Sequence, residues 1–231
     1  MKKRALSLLL VLTVFWLACC RAAGGREKLE TNILELLQGF NGDVGVFVRH
    51  LPSKTVVGVN ENKIFPTASM IKVPILVKIF DKIEAGALTM DSVMIFNQAA
   101  INYPWKGDDA LARFKDGEDI TISKLLTHMI TFSDNHASLW LQDMAGGGAA
   151  VNAWLENNGF VHTRVNSRTA GREAEYEKFG WGQTTPREMA ELLVMIREGR
   201  AVSPTASADI YRHLTRIYWD DEALSQIPPT V

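Results

Sequence analysis

Two residues near position 70 have the types and spacing of a nucleophile and its base. Ser69 and Lys72 stand three positions apart at the expected start of a helix, where side chains at i and i+3 share a face. Because Pro74 lacks a backbone N–H, the helix must begin close to Ser69, so that the proline falls near its first turn. A hydroxyl needs a base to attack, and a lysine desolvated in a pocket can serve. The pair is compatible with nucleophilic catalysis, but about 0.6 such pairs are expected by chance in this composition, so taken alone it indicates no more than a capped helix with a solvated lysine.

A second polar run is Ser133-Asp134-Asn135. In a chain of this composition such a tripeptide is expected about 0.03 times by chance, so it is a much more specific signal than the Ser-x-x-Lys pair. Hydrophobic periodicity places it on a short loop between a helix over Ile122–Ile130 and a helix that begins near Asn135. The structural interpretation is an N-cap of the second helix by Ser133 or Asp134. The functional interpretation is a set of polar groups in a catalytic site.

The elements that must position these residues follow from the hydrophobic pattern. An amphipathic helix with Leu29 and Ile33 on one face precedes two short apolar runs, which predict a β-hairpin. Several helices follow, with a break at the three glycines Gly146–Gly148 and one more helix within Tyr211–Val231. A hairpin followed by many helices predicts a sheet with helices beside it, in the α/β or α+β class.

Composition excludes several classes of protein. The chain has 231 residues, of which 47% are hydrophobic and 22% charged, with a net charge of -1. This is globular composition without a basic patch, so we expect no nucleic-acid partner. The five histidines show no ligand spacing with Cys, Asp or Glu, and no glycine-rich phosphate loop precedes a helix. We therefore expect neither a metal nor a cofactor.

The N-terminus has the pattern of a secretory signal. Three basic residues at positions 2–4 precede the 14-residue apolar run Ala5–Ala18. That run is shorter than the roughly 20 residues of a membrane-spanning helix, so we expect a signal peptide over residues 1–19. The sequence around Cys19 and Cys20 resembles a bacterial lipobox, with either cysteine as the lipidated residue. The alternative is simple cleavage a few residues later and an exported protein that is periplasmic rather than lipid-anchored.

The two polar motifs, in this order and about 60 residues apart, resemble those of the class A β-lactamase and penicillin-recognising serine hydrolase family. Phe65–Pro74 resembles the nucleophile segment of that family, and Thr184–Ala190 the exit of its Ω-loop. The resemblance implies an α/β (α+β) sandwich with the β-lactamase/transpeptidase-like antiparallel sheet, flanking helices and a helical subdomain. It implies one domain over residues 26–231.

The resemblance also implies roles for individual residues. Ser69 would be the acylated nucleophile and Lys72 its activating partner. Ser133 would relay a proton to the leaving nitrogen, and Asn135 would hold Lys72 and the substrate amide. Trp105 is a candidate aromatic wall beside the pocket, with a buried core position as the alternative.

The sequence departs from the family at the deacylating glutamate. The family carries it in a Glu-x-x-Leu-Asn pattern, and the corresponding place here falls near Thr169 and Ala170, which have no carboxylate. Glu173, Glu175 and Glu177 follow, and none is succeeded by Leu-Asn. Glu173 is the candidate base, and a solvated loop is the structural alternative.

A second departure concerns the family's third motif, Lys-Thr-Gly or Lys-Ser-Gly, which occurs nowhere in the 231 residues. We therefore expect the sequence to be a fragment of a longer chain, with the fold incomplete at the C-terminus.

Three functions remain open from the sequence. The leading one is β-lactam hydrolysis through an acyl-enzyme, as in β-lactam catabolism and antibiotic resistance. The alternative is a penicillin-binding or peptidoglycan-directed serine hydrolase with slow deacylation. The third is a non-catalytic surface lipoprotein or an inactive fragment. The expected partner is a small β-lactam or a peptidoglycan-peptide-like substrate bound by a monomer that meets a membrane only through a lipid anchor.

Overall fold

The computed structural model describes residues 25–103, 114–218 and 224–227. The predicted signal segment with Cys19 and Cys20, and the candidate Trp105, lie outside these residues. Within the described ranges, no helix is both long enough and apolar enough to cross a membrane.

The chain divides into two units. One contains the described residues up to Lys63 together with Thr185–Ala190. It begins with helix α1 over residues 25–36, and strands β1 (Val46–His50) and β2 (Thr55–Val59) then pair antiparallel. These elements are the predicted amphipathic helix and the predicted hairpin.

Arg187 joins the segment Thr185–Ala190 of this unit to residues in and beside the hairpin. Arg187 donates to Glu61 Oε1 at 2.8 Å, and its guanidinium lies 4.7 Å from the centre of the Phe47 ring. The segment Thr185–Ala190 therefore packs with residues far earlier in the chain.

The other unit, Ile64–Thr184 with the described residues from Glu191, carries the remaining elements. Strands β3, β7 and β6 form one antiparallel sheet in that order, and β4 pairs antiparallel with β5. The strands are β3 (Phe65–Pro66), β4 (Val93–Ile95), β5 (Asp119–Thr121), β6 (Arg164–Val165) and β7 (Gly182–Thr184). The helices are α2 (Lys72–Glu84), α3 (Gln98–Ile101), α4 (Ile122–Thr131), α5 (Asn135–Met144), α6 (Gly147–Asn157), α7 (Glu173–Phe179), α9 (Pro204–Leu214) and α8 (Pro186–Arg197), which begins in the first unit. The mixture of helices and antiparallel sheet confirms the predicted fold class.

Helix α2 is the centre of the core. Ile71, Ile75 and Ile79 recur every four residues and are fully buried, as the periodicity predicts. The helix packs against α4, α5, α6 and α9. Burial of this stripe on several sides fixes the position of the N-terminal end of α2, where Lys72 lies.

The predicted break at the three central glycines is present but shorter than predicted, since α5 ends at Met144 and α6 begins at Gly147. Helix α6 begins inside the run, because Gly146 and Gly147 adopt φ values of +100° and +79° that a side chain would oppose. The third glycine, Gly148, lies in α6, and a Cβ there would overlap the hydroxyl of Thr169. The absent side chain lets the loop that contains Thr169 pack on the helix.

The predicted helix within Tyr211–Val231 is wrong in its position. The structure has α9 over Pro204–Leu214, and the described residues beyond it hold only a short 3-10 turn at Leu224–Gln226. Ser203 caps α9 by accepting from Ala206 N at 3.1 Å, and Pro204 follows in the first turn. The Ser-Pro start is the signal that places the helix earlier.

Candidate active site

Ser69 lies at the junction of two helical elements. It belongs to a 3-10 turn, Ala68–Ile71, which runs directly into α2 at Lys72, so that Pro74 is the third residue of α2. The predicted helix start is therefore confirmed, with a tighter first turn. Ala68 has a positive φ of 44°, and Ser69 is exposed. The turn presents the hydroxyl to solvent at the N-terminal end of a helix.

The ammonium group of Lys72 is the centre of a compact cluster. Lys72 is 3% exposed, and its Nζ donates to Ser69 Oγ at 3.2 Å, Ser133 Oγ at 2.9 Å and Asn135 Oδ1 at 3.0 Å. The backbone oxygen of Ser133 is a fourth acceptor at 2.6 Å, so the three N–H groups of the ammonium are shared among four oxygens. The hydroxyl of Ser133 donates to Ser69 Oγ at 2.7 Å. The two sequence motifs thus meet in one hydrogen-bonded site.

The loop before α5 places Ser133 and Asn135 in this cluster. Ser133 adopts a left-handed φ of 59°, a conformation that costs a β-carbon-bearing residue about 1 kcal/mol or more. Asp134 caps α5, because its Oδ1 accepts from Ala137 N at 3.0 Å. Of the two predicted capping candidates, Asp134 is the cap, and Ser133 instead points its hydroxyl at Ser69 and Lys72.

A buried histidine lies beside the carboxylate that caps α5. Asp134 is 4% exposed, and its Oδ2 lies 3.6 Å from Nδ1 of His128. The backbone N–H of Asp134 donates to the carbonyl of His128 at 3.1 Å, and the imidazole stacks on Phe114 with 4.5 Å between ring centres. Sequence spacing did not mark His128, because a lone histidine on a helix carries no motif.

Thr169 and Ala170, which the sequence resemblance places at the family's deacylating glutamate, lie in the loop before helix α7. Thr169 is buried, with its hydroxyl donating to the carbonyl of Ser167 at 3.0 Å, whereas Ala170 is exposed. The candidate Glu173 is exposed and opens the short helix α7, where its Oε1 accepts from Gly171 N at 3.1 Å. The alternative of a solvated loop is wrong in one respect, since the segment is helical. Glu173 binds its own loop rather than the Lys72 cluster.

A cavity of about 440 Å³ adjoins this loop. Its wall includes the aromatic side chains of Tyr103, Tyr176 and Trp181, together with Ala170. Arg168, Glu173 and Glu177 also line it. Position 170 contributes only the methyl group of an alanine to this wall.

Two arginines hold the loop in place. Arg172 donates to Asn166 Oδ1 at 2.9 Å and to Gln183 Oε1 at 2.8 Å, which joins the two ends of the loop. Arg168 donates to the carbonyls of Ile101 at 2.5 Å and Asn102 at 3.2 Å. Contacts from arginine to neutral acceptors have no sequence signature, so these anchors were not predicted.

Among the described residues, no three His, Cys, Asp or Glu side chains lie together in a group that could hold a metal ion.

With the fold and the cluster in place, comparison with known proteins identifies the family. The model of the beta-lactamase enzyme family matches residues 28–231. The chain belongs to the beta-lactamase enzyme family.

Individual relatives agree with this assignment. The chain is 23% identical over 188 residues to beta-lactamase VEB-1 of Pseudomonas aeruginosa, covering 81% of this chain and 62% of that protein. The solved structure of PBP-A is 26% identical with a TM-score of 0.72, over 84% of this chain and 70% of that one. A variant of PBP-A, in which a leucine is replaced by glutamate, matches equally well and was solved as an acyl-enzyme complex with penicillin G. The chain spans between 62% and 65% of the length of the curated relatives that it matches.

Proposed function

We propose that this protein is a serine β-lactam hydrolase of the class A type, which forms an acyl-enzyme on Ser69. The observation that carries the proposal is the position of Lys72 Nζ, within hydrogen-bond distance of the hydroxyls of Ser69 and Ser133. Family membership supports a hydrolase related to the beta-lactamases.

Acylation begins with attack of Ser69 Oγ on the β-lactam carbonyl carbon. Lys72 in its neutral form accepts the serine proton as the new C–O bond forms. Ser69 lies in the turn that leads into α2, so positive charge at the helix N-terminus and the Ser69 N–H favour the developing oxyanion.

Collapse of this intermediate breaks the carbonyl carbon–nitrogen bond. Ser133 passes a proton to the leaving nitrogen and recovers one from Lys72, along the 2.9 Å contact between them. Asn135, which accepts from Lys72 at 3.0 Å, orients the amine and is the proposed contact for the substrate amide. The product is an ester of Ser69 with the opened ring.

Deacylation requires water to attack this ester with help from a base. Ala170 and Thr169 supply no carboxylate, so Glu173 is the proposed base, displaced from the usual position by the reshaped loop. Because its carboxylate is bound to Gly171 N in this loop, we propose slow turnover after fast acylation.

A second function, a penicillin-binding or peptidoglycan-directed serine hydrolase, is favoured by the lack of a carboxylate at Thr169 and Ala170. An acyl-enzyme that persists for lack of a base at position 170 behaves as a trap for β-lactams. The similarity to PBP-A, at 26% identity, supports this alternative.

The experiment that tests both is covalent labelling. A fluorescent penicillin should label the full-length protein with one equivalent, and mass spectrometry should find the adduct on the peptide that contains Ser69. Ser69→Ala should abolish labelling, whereas Ser123→Ala, at an exposed position on α4, should not change it. Labelling that survives Ser69→Ala contradicts the assignment. Slow release of the label, with repeated turnover of penicillin, favours the hydrolase, and a label that is not released favours the penicillin-binding protein.

We further propose that the protein is exported, as its leader pattern predicts, and acts as a monomer in the periplasm or anchored through Cys19 or Cys20. Fractionation of expressing bacteria, with metabolic labelling by a fatty acid, tests this. Label that is lost only when both cysteines are replaced by serine supports the anchor, and unlabelled protein in the periplasmic fraction supports simple cleavage.

A further inference from the structure

His128 contacts the residues on both sides of Ser133. Its carbonyl accepts hydrogen bonds from Phe132 N at 3.3 Å and from Asp134 N at 3.1 Å. Its imidazole packs edge-on against the Phe132 ring, with 5.7 Å between ring centres, and its Nδ1 lies 3.6 Å from Asp134 Oδ2. One residue of α4 therefore contacts both chain neighbours of the serine that completes the Lys72 cluster.

The backbone conformation of Ser133 needs support from its surroundings. Its φ of 59° is left-handed, which is unfavourable for a residue with a β-carbon and persists only where the surrounding structure imposes it. In this conformation the Ser133 hydroxyl reaches Ser69 Oγ at 2.7 Å. Relaxation to an ordinary negative φ would move the hydroxyl away from Ser69 and from the proposed proton path to the leaving nitrogen.

The Nδ1 atom of His128 is buried and makes no hydrogen bond with the residues that the structure describes. A buried polar atom without a partner is costly, and a buried carboxylate is stable only when it is paired. Asp134 is 4% exposed, its Oδ1 accepts from Ala137 N, and its Oδ2 lies on the side of the imidazole. An approach that is closer by about 0.5 Å gives an N–H···O hydrogen bond of ordinary length, provided that Nδ1 carries the proton.

The aromatic neighbours fix the plane of the imidazole. Phe114 stacks on it with 4.5 Å between ring centres, and the Phe132 ring meets it at an interplanar angle of 79°. This packing leaves two orientations, which a ring flip exchanges. The Asp134 carboxylate favours the orientation that turns an N–H rather than a C–H toward it, because a hydrogen bond to a charged group is the stronger contact.

From these contacts we infer that His128 is a positioning residue for acylation. Its Nδ1–H donates to Asp134 Oδ2 and thereby holds Ser133 in the left-handed conformation. The catalytic consequence rests on the proposed function, because it concerns the serine that is proposed to pass a proton to the leaving nitrogen.

Two substitutions separate the hydrogen bond from the packing of the ring. His128→Phe keeps a ring beside Phe114 and Phe132 but has no N–H, and it should lower the acylation rate by about 10- to 100-fold, because a small misplacement of a catalytic group costs this much. His128→Asn loses the ring but places its side-chain N–H₂ close to the position of Nδ1, and it should acylate at least about fivefold faster than His128→Phe. A role in packing alone predicts the reverse order. A wild-type rate in His128→Phe, or a rate in His128→Asn no higher than in His128→Phe, would overturn the inference.

A substitution in the core separates positioning from stability. Ile210→Val, at a fully buried position on α9, removes one methyl group and should lower the melting temperature without changing the acylation rate. If Ile210→Val slows acylation as much as His128→Phe does, the effect follows stability and the inference is wrong.

A measurement on the imidazole itself depends neither on acylation nor on the folding of a variant at position 128. In full-length protein labelled with ¹⁵N-histidine, two-bond ¹H–¹⁵N spectra near neutral pH should show a proton on Nδ1 of His128. Asp134→Asn should remove that proton. The amide oxygen of this variant still accepts from Ala137 N, so its N–H₂ takes the place of Oδ2 and donates to Nδ1.

The outcomes distinguish this inference from the proposed function. An unprotonated Nδ1 in the wild type, or a protonation state that Asp134→Asn does not change, overturns the inference even if penicillin labels Ser69. A protonated Nδ1 that responds to Asp134→Asn, in a protein that no penicillin labels, supports the contact of His128 with Asp134 and contradicts the proposed function.

Discussion

The hydroxyls of Ser133 and Ser69 lie 2.7 Å apart, although 64 positions separate the two residues. The left-handed backbone conformation of Ser133 and the cap of α5 by Asp134 keep the Ser133 hydroxyl at this distance from Ser69. Lys72 Nζ contacts both hydroxyls, at 2.9 Å and 3.2 Å. A proton on any of the three groups can therefore reach the others without water.

Removal of the amine or of the second hydroxyl should slow acylation while the protein still folds. We expect Lys72→Ala to lower the acylation rate by about 10² to 10⁴, and Ser133→Ala by about 10², because each removes one proton-transfer group. Stopped-flow kinetics with a chromogenic cephalosporin would measure the burst phase. Lys78→Ala, on the same helix and bound to Asp81, is the control. An unchanged burst rate in Lys72→Ala would contradict the proposed role.

A carboxylate placed at the position that lacks one should accelerate turnover. The wild type should show a burst of one equivalent followed by slow steady turnover, and Ala170→Glu should raise the steady rate by about 10² or more. Ala170→Gln, which matches the size without the charge, should not raise it. Steady-state kinetics would measure the turnover rate of each variant, and mass spectrometry would measure the lifetime of its acyl-enzyme. Fast wild-type turnover without a burst would show that the loop already holds a working base.

The residual turnover of the wild type should depend on Glu173. Glu173→Gln should lower the steady rate at least about tenfold and leave the burst amplitude unchanged, because only the second step uses the base. Accumulation of a penicilloyl adduct on this variant would identify Glu173 as the deacylating group. A steady rate equal to that of the wild type would exclude it.

Asp134 should matter for both stability and acylation. Asp134→Ala removes the cap of α5 and should cost about 1 to 2 kcal/mol in the free energy of unfolding, measured by urea denaturation. The variant should also acylate more slowly, because Ser133 and Asn135 flank the cap. Asp134→Asn keeps a side-chain oxygen for Ala137 N and should lose less in both measurements. Equal stability of Asp134→Ala and the wild type would contradict this account.

Burial of His213 should make the protein less stable as the pH falls from 7.5 to 5.5. Burial lowers the pKa of His213, and Arg216 and Arg212 lower it further, while Asp209 raises it. Below the unfolded pKa of about 6.5, the unfolded chain binds a proton that the folded state resists, so protonation favours unfolding. His213→Gln should reduce the drop in melting temperature between the two pH values. An identical drop in both proteins would show that other groups control it.

The local features of the site could be predicted from the sequence alone. Ser69 and Lys72 were placed on one helical face by their three-residue spacing, and Pro74 located the start of the helix, because i,i+3 geometry and proline chemistry act within one turn. The isoleucine stripe of α2 and the hairpin β1–β2 followed from their periods of about four and two residues. The same logic identified Asp134 as one of two capping candidates.

Which distant groups meet could not be predicted from the sequence, because it depends on how the helices pack. Lys72 reaches Asn135 across 63 positions because α2 packs on α5, and hydrophobic periodicity shows which face of a helix is buried but not its partner. The contacts of Arg168 with the carbonyls of Ile101 and Asn102, which are 67 and 66 positions away, likewise depend on packing between segments. The cavity beside Ala170 is an extreme case, since it is the space left where side chains of several elements fail to fill the volume between them. Pairwise packing over long chain separations leaves no period or motif in a single sequence, whereas turns and caps do.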